Sequence, residues 1–185
     1  MRTQFLLVPA LVTAFVAAAC GSDSGDSGNS TPADTCPHDY SKFNGQTPAV
    51  SFQADVLPVM RRGCGLSSVC HGAASGSAAD LYLGPKLSDP EPDATARQQI
   101  VSAMVGVASK TAPSMSLVAS GDPAQSFMML KMDGCQDSAG LTCTAQPGAT
   151  GTSACGDSMP QASPILSADE RNLFRRWIAQ GAQAD

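Results

Sequence analysis

Aromatic residues are scarce in this chain of 185 residues: six Phe, two Tyr and one Trp, 5% of the total. A core with so few large rings gains from cross-links or from a large apolar cofactor. Histidine is rarer still, with only His38 and His71. The sequence has no Gly-x-Ser-x-Gly elbow and no Asp/Glu/His cluster with metal-ligand spacing, so no enzyme is indicated. Basic residues number 11 against 16 acidic ones, and no stretch is rich in Lys or Arg. That balance excludes the electrostatic footprint of a nucleic-acid binder. No internal repeat occurs, and the longest apolar run, Phe5 to Ala19, has only 15 residues. That is short for a membrane span.

The run has a different meaning. Arg2 supplies a minimal positive region, the apolar stretch follows, and Ala17-Ala18-Ala19 precedes Cys20. The pattern fits a secretory signal over residues 1–19. The ending resembles a bacterial lipobox, with alanine where leucine is more usual three residues before the cysteine. By that resemblance Cys20 is lipidated and becomes the mature N-terminus, held to the membrane by acyl chains. Gly21 and Ser22 follow, and no aspartate stands there as an inner-membrane retention signal, so an outer-membrane anchor facing the periplasm or the surface is expected. The competing reading is an ordinary signal peptide cut near Ala19. Residues 20–35 are rich in Gly, Ser and Asp, the composition of a flexible tether. Residues 36–185 suit one domain in length. Without Arg2 the mature chain carries 10 basic and 16 acidic residues, a net charge of −6.

Within the domain the periodicity is helical. Pro58 is tolerated in a first turn, so an extended entry and a short helix from about Leu57 to Gly63 are expected, with Val56, Leu57 and Met60 buried. Asp93 caps a helix reaching about Val107, with Ile100, Met104 and Val107 on its buried face. Gly121-Asp122-Pro123 opens a helix to about Met132 that buries Phe127, Leu130 and Met128. Ser167-Ala168-Asp169-Glu170 is a capping box, and Leu173, Phe174, Trp177 and Ile178 form the stripe of a last helix stopped by Gly181. Arg175 and Arg176 lie toward its C-terminus, where they suit the helix dipole. The fold class is therefore mainly α. Residues 134 to 164 form a long loop holding Cys135, Cys143 and Cys155; a loop of that length carries function or needs pinning, and disulfides among these cysteines or to Cys36 would pin it.

The most informative segment is Cys64-Gly65-Leu66-Ser67-Ser68-Val69-Cys70-His71-Gly72. Two thiols can form thioethers with the vinyl groups of a haem, and the histidine beside the second can ligate the iron. The usual signature is Cys-x-x-Cys-His; here five residues separate the cysteines. The competing reading is a local disulfide, since export places the cysteines in an oxidising compartment. Six cysteines remain after Cys20, and even numbers satisfy both readings. A zinc site from Cys64, Cys70 and His71 lacks a fourth ligand.

Four blocks follow one another in order: Asp55-Val56-Leu57-Pro58; Cys64 to His71-Gly72; Gly121-Asp122-Pro123 with Ser126-Phe127; and Met159-Pro160, Pro164 to Glu170, Trp177-Ile178 and Gly181-Ala182. Together they resemble the single-haem c-type cytochrome domains of exported bacterial proteins, over most of residues 50 to 182. The resemblance implies a small helical domain whose first helix carries the haem motif and packs across the last. It implies one covalent haem c attached through Cys64 and Cys70, with His71 and Met159 as axial ligands. A methionine ligand raises the reduction potential relative to a second histidine. The sequence departs from the family in the expanded spacing, which obliges three extra residues to bulge outward.

Each residue has a plainer alternative. A methionine is usually core filler, and Met115, Met128, Met129 and Met132 compete with Met159, which stands apart in a loop eight residues before the Ser167 cap. His38 is a rival axial ligand, although a loop histidine is the simpler reading. Trp177 is expected to pack against the first helix. Two functions result: a membrane-tethered electron carrier serving an unidentified redox partner protein, or a disulfide-stapled lipoprotein with a cytochrome-like scaffold, no haem, and a binding or envelope role.

Overall fold

The computed structural model describes residues 36–146 and 153–185. The signal, the tether and Cys20 lie outside the described residues. Among these residues the architecture is helical, with no named strand: α1 (Leu57–Gly63), α2 (Ala94–Ser102), α3 (Phe127–Asp133) and α4 (Ala168–Ala179). Two disulfides, Cys36–Cys135 and Cys143–Cys155, pin the loops. The first ties the start of the domain to the end of α3; the second closes the long loop upon itself.

α1 starts where the proline permits, with Pro58 in its first turn. The entry before it is not extended. Phe52–Val56 is a π-helical turn, stabilised because Ser51 Oγ accepts the Ala54 N–H and Asp55 accepts the Ser51 N–H. This turn runs straight into α1 and buries Phe52 and Val56. Phe52 lies 5.4 Å from Trp177 between ring centroids, so the entry turn packs on α4. The Trp177 indole N–H donates to the Gln183 carbonyl. α4 carries the capping box in both directions, which satisfies free donors at its start.

Two helices are shorter than their periodicity predicts. α2, capped by Asp93, stops at Ser102, and Val107 is 40% exposed. Beyond it the chain turns through Gly106, whose φ of +73° favours glycine. The Gly106 N–H then donates to the Val118 carbonyl and the Val118 N–H to Met104. Long-range backbone pairing has replaced helix propagation. The Pro123 helix is likewise split. A 3-10 turn, Pro123–Gln125, is capped by Asp122, and Ser126 is extended before α3 begins. Ser126 is pulled out of helical geometry by a bridge to Ser116 and by its hydroxyl, which accepts the Ala119 N–H.

The main core joins Phe52, Val56, Leu57, Met60, Ile100, Met104, Met129, Phe174, Trp177 and Ile178. A smaller cluster of Ala112, Met115, Phe127, Leu130 and Cys135 lies under the loop after α3. Methionines fill the space that aromatics fill elsewhere. Arg175 does more than suit the helix dipole: it is 1% exposed and pairs with Asp133. No helix among the described residues is long and apolar enough to cross a membrane.

Candidate functional site

The motif leaves the C-terminal end of α1, where the Cys64 N–H donates to the Met60 carbonyl. The chain then doubles back, and the His71 N–H donates to the Cys64 carbonyl at 3.1 Å. Five intervening residues therefore do not separate Cys64 from His71 in space. The turn is closed tightly at Gly72, where an added Cβ would lie 2.5 Å from the Gly65 carbonyl oxygen and 2.9 Å from that of Ser67. Only a residue without a side chain permits that approach. The intervening residues bulge outward, with Leu66 57% and Val69 77% exposed.

Cys64 and Cys70 are free thiols, both half-buried; the other four described cysteines are paired. Burial, reinforced by the neighbouring Cys70, pushes the Cys64 thiol up to about 11, so it stays protonated near neutral pH. Cys70 Sγ accepts a hydrogen bond from the Ser67 hydroxyl at 3.2 Å. His71 Nδ1 lies 2.9 Å from the Leu81 carbonyl oxygen. A carbonyl only accepts, so Nδ1 carries the proton and Nε2 carries the lone pair. Burial lowers the pKa of His71, against the opposing pull of the Leu81 and Ala78 carbonyls. The result is a neutral imidazole in a fixed orientation, the form that ligates a metal.

Met159 is brought to the same end of the molecule through its neighbours. Its N–H donates to the Lys131 carbonyl at 2.8 Å. Pro160 follows and is buried. A Cβ built on Gly63 would lie 3.6 Å from Pro160 Cγ and 3.5 Å from Leu166 Cδ2. The loop bearing Met159 therefore lies on the residue that precedes Cys64. Among the described methionines, Met60, Met104, Met115, Met128, Met129 and Met132 are all buried, and Met159 alone is half-exposed. An open groove of about 830 Å³, lined by Asp157, Ser158 and Gln161 to Pro164, flanks it.

The rival residues sit elsewhere. His38 packs edge-on against Tyr40 at 4.7 Å and Phe43 at 6.1 Å, and burial beside Arg175 lowers its pKa. Among the described residues, no three His, Cys, Asp or Glu side chains converge as a metal centre. A c-type haem makes a smaller demand on them, for it brings its own four equatorial nitrogens. It requires two thiols and one oriented imidazole, and Cys64, Cys70 and His71 fit. The Leu81 carbonyl was beyond sequence reasoning, because a main-chain acceptor leaves no mark in residue identity. The chain matches no protein-family model, no curated protein and no solved structure.

Proposed function

We propose that the protein is an exported, lipid-anchored electron carrier with a cytochrome-c-like domain and one covalent haem c. The observation that carries this reading is the motif loop: the two free thiols flank it, and its histidine, whose pKa burial lowers, has Nδ1 on a backbone carbonyl. Cys64 and Cys70 would attach the group. Attachment would convert each S–H into a thioether by addition across a vinyl, the hydrogen passing to the other vinyl carbon with no oxidant consumed. His71 and Met159 would ligate the iron. When bound, the haem supplies one-electron chemistry, with iron cycling between ferrous and ferric states. The chain's own residues bury the imidazole, which lowers its pKa. The loop containing Met159 lies near Gly63, the residue before Cys64, which supports its assignment as the second ligand. Leu66 and Val69, exposed on the bulge, would add apolar surface beside the ring. Lipidation at Cys20 and a tether over residues 20–35 would keep the domain near the envelope membrane, where it meets a redox partner protein.

The reading is tested at Met159. Ferric protein made with c-type haem maturation factors should show a methionine-to-iron charge-transfer band, and Met159→Ala should abolish it and lower the reduction potential. Persistence of the band in the variant would assign the ligand to another methionine. Absence of any haem spectrum in the parent protein would leave the disulfide-stapled lipoprotein as the better account.

A further inference from the structure

Arg61 is 4% exposed, on α1, three residues before Cys64. A buried guanidinium is costly unless its donors are occupied. Here Nε donates to the Pro85 carbonyl at 3.2 Å, and Nη2 donates to the carbonyls of Lys86 at 2.9 Å, Leu87 at 3.3 Å and Asp89 at 2.5 Å. Nη1 reaches Glu91 at 3.4 Å, but that carboxylate is 68% exposed and contributes little. The cation is thus solvated chiefly by the backbone of one irregular segment, whose carbonyls need partners of their own.

That segment continues directly from the one that orients His71. The Leu83 N–H donates to the His71 carbonyl at 2.9 Å. The Leu81 carbonyl accepts from both His71 Nδ1 and the Ser77 hydroxyl, at 2.9 and 3.0 Å. Between the two sets of bonds lies Gly84, followed by Pro85. A Cβ added to Gly65 would come 3.2 Å from the Gly84 oxygen and 3.4 Å from the Pro85 oxygen, so this backbone is pressed onto the start of the motif. Arg61 holds the outer end of the segment, and His71 is held by the inner end.

Resting on the haem reading above, we infer that Arg61 is the positioning residue of the site. By gripping the carbonyls of Pro85, Lys86, Leu87 and Asp89, it holds the Leu81–Leu83 backbone against the motif and fixes the ring of His71. Lysine cannot replace it, because a single ammonium lacks the planar fork that spans four carbonyls.

The test compares Arg61→Lys and Arg61→Gln with Glu91→Gln in the haem-loaded protein, by ferric visible and EPR spectra and by reduction potential. Both Arg61 variants should lose the uniform low-spin spectrum and shift in potential, Gln more than Lys, while Glu91→Gln keeps the parent values. Parent spectrum and potential in both Arg61 variants would overturn the inference; if Arg61→Gln does not fold, Arg61→Lys decides. A second readout is independent of haem. In haem-free protein the His71 ring N–H bonded to Leu81 should give a slowly exchanging NMR signal that both Arg61 variants lose. If the parent takes up no haem, the functional reading fails, and this signal alone judges the clamp: its retention in Arg61→Lys and Arg61→Gln would overturn it.

Discussion

Asp133→Ala is expected to lower the free energy of unfolding by about 3–5 kcal/mol, a large share of the ~5–15 kcal/mol of an ordinary domain. The carboxylate sits between two guanidiniums: Arg175 Nη2 donates to it, and Arg171 Nε lies 3.3 Å away. All three residues are buried, Arg171 3% and Arg175 1% exposed. Burial pushes the Asp133 carboxyl above its ordinary value even as Arg175 pulls it down, so desolvation is the strongest force at this site. Alanine would remove the carboxylate that lies between these two buried cations. The contrast is Asp80, paired with Lys110 at 2.6 Å but with both side chains more than half exposed; Asp80→Asn should cost under about 1 kcal/mol. Urea melts of the two variants check the difference. A triple variant, Asp133→Leu with Arg171→Met and Arg175→Met, should recover most of the loss, since uncharged packing often replaces a buried ion cluster without penalty. Equal midpoints for parent and Asp133→Ala would show that the cluster is not what holds α3 to α4.

The second large effect belongs to the Cys36–Cys135 disulfide. It closes a loop with a sequence separation of 99, against 12 for Cys143–Cys155. On the chain-entropy account, removing the long-range bridge costs about 5 kcal/mol and removing the short one about 3 kcal/mol. Cys36→Ala with Cys135→Ala should therefore melt at lower urea than Cys143→Ala with Cys155→Ala. The reverse order would mean that the bridge acts through the folded packing instead. Cys135 follows Asp133 by two residues, and the segment it anchors carries His38 and Tyr40. Burial pushes the Tyr40 hydroxyl up to about 12, near Arg175 and Asp133. The disulfide and the ion cluster share neighbours, so their losses should not add.

Local signals were legible in the sequence, and long-range ones were not. Pro58, the Ser167–Glu170 box and the spacing of Phe174, Trp177 and Ile178 mark α1 and α4 because each acts within one or two turns. α2 and the Pro123 helix are shorter than their periodicity predicts for the opposite reason: Val118 and Ser116 take the backbone at Gly106 and Ser126, and no helical period encodes a partner a dozen residues away. Arg175 has the same history. Its place toward the end of α4 is legible in the sequence; its pairing with Asp133 depends on the arrival of α3. At the candidate site, Cys64, Cys70, His71 and Met159 were visible as residue types with a spacing. The geometry at Gly72, the Leu81 carbonyl and the Arg61 clamp depend on how the loop folds back.

The central claim is covalent haem at an expanded Cys-x5-Cys-His motif, and one preparation tests it directly. Mature protein expressed with c-type haem maturation factors is denatured and its intact mass taken, alongside a visible spectrum of the folded form. The account predicts the added mass of one haem, retained on denaturation, and a Soret band; both should vanish in Cys64→Ser with Cys70→Ser. An intact mass equal to the polypeptide alone, with no Soret band, would contradict it.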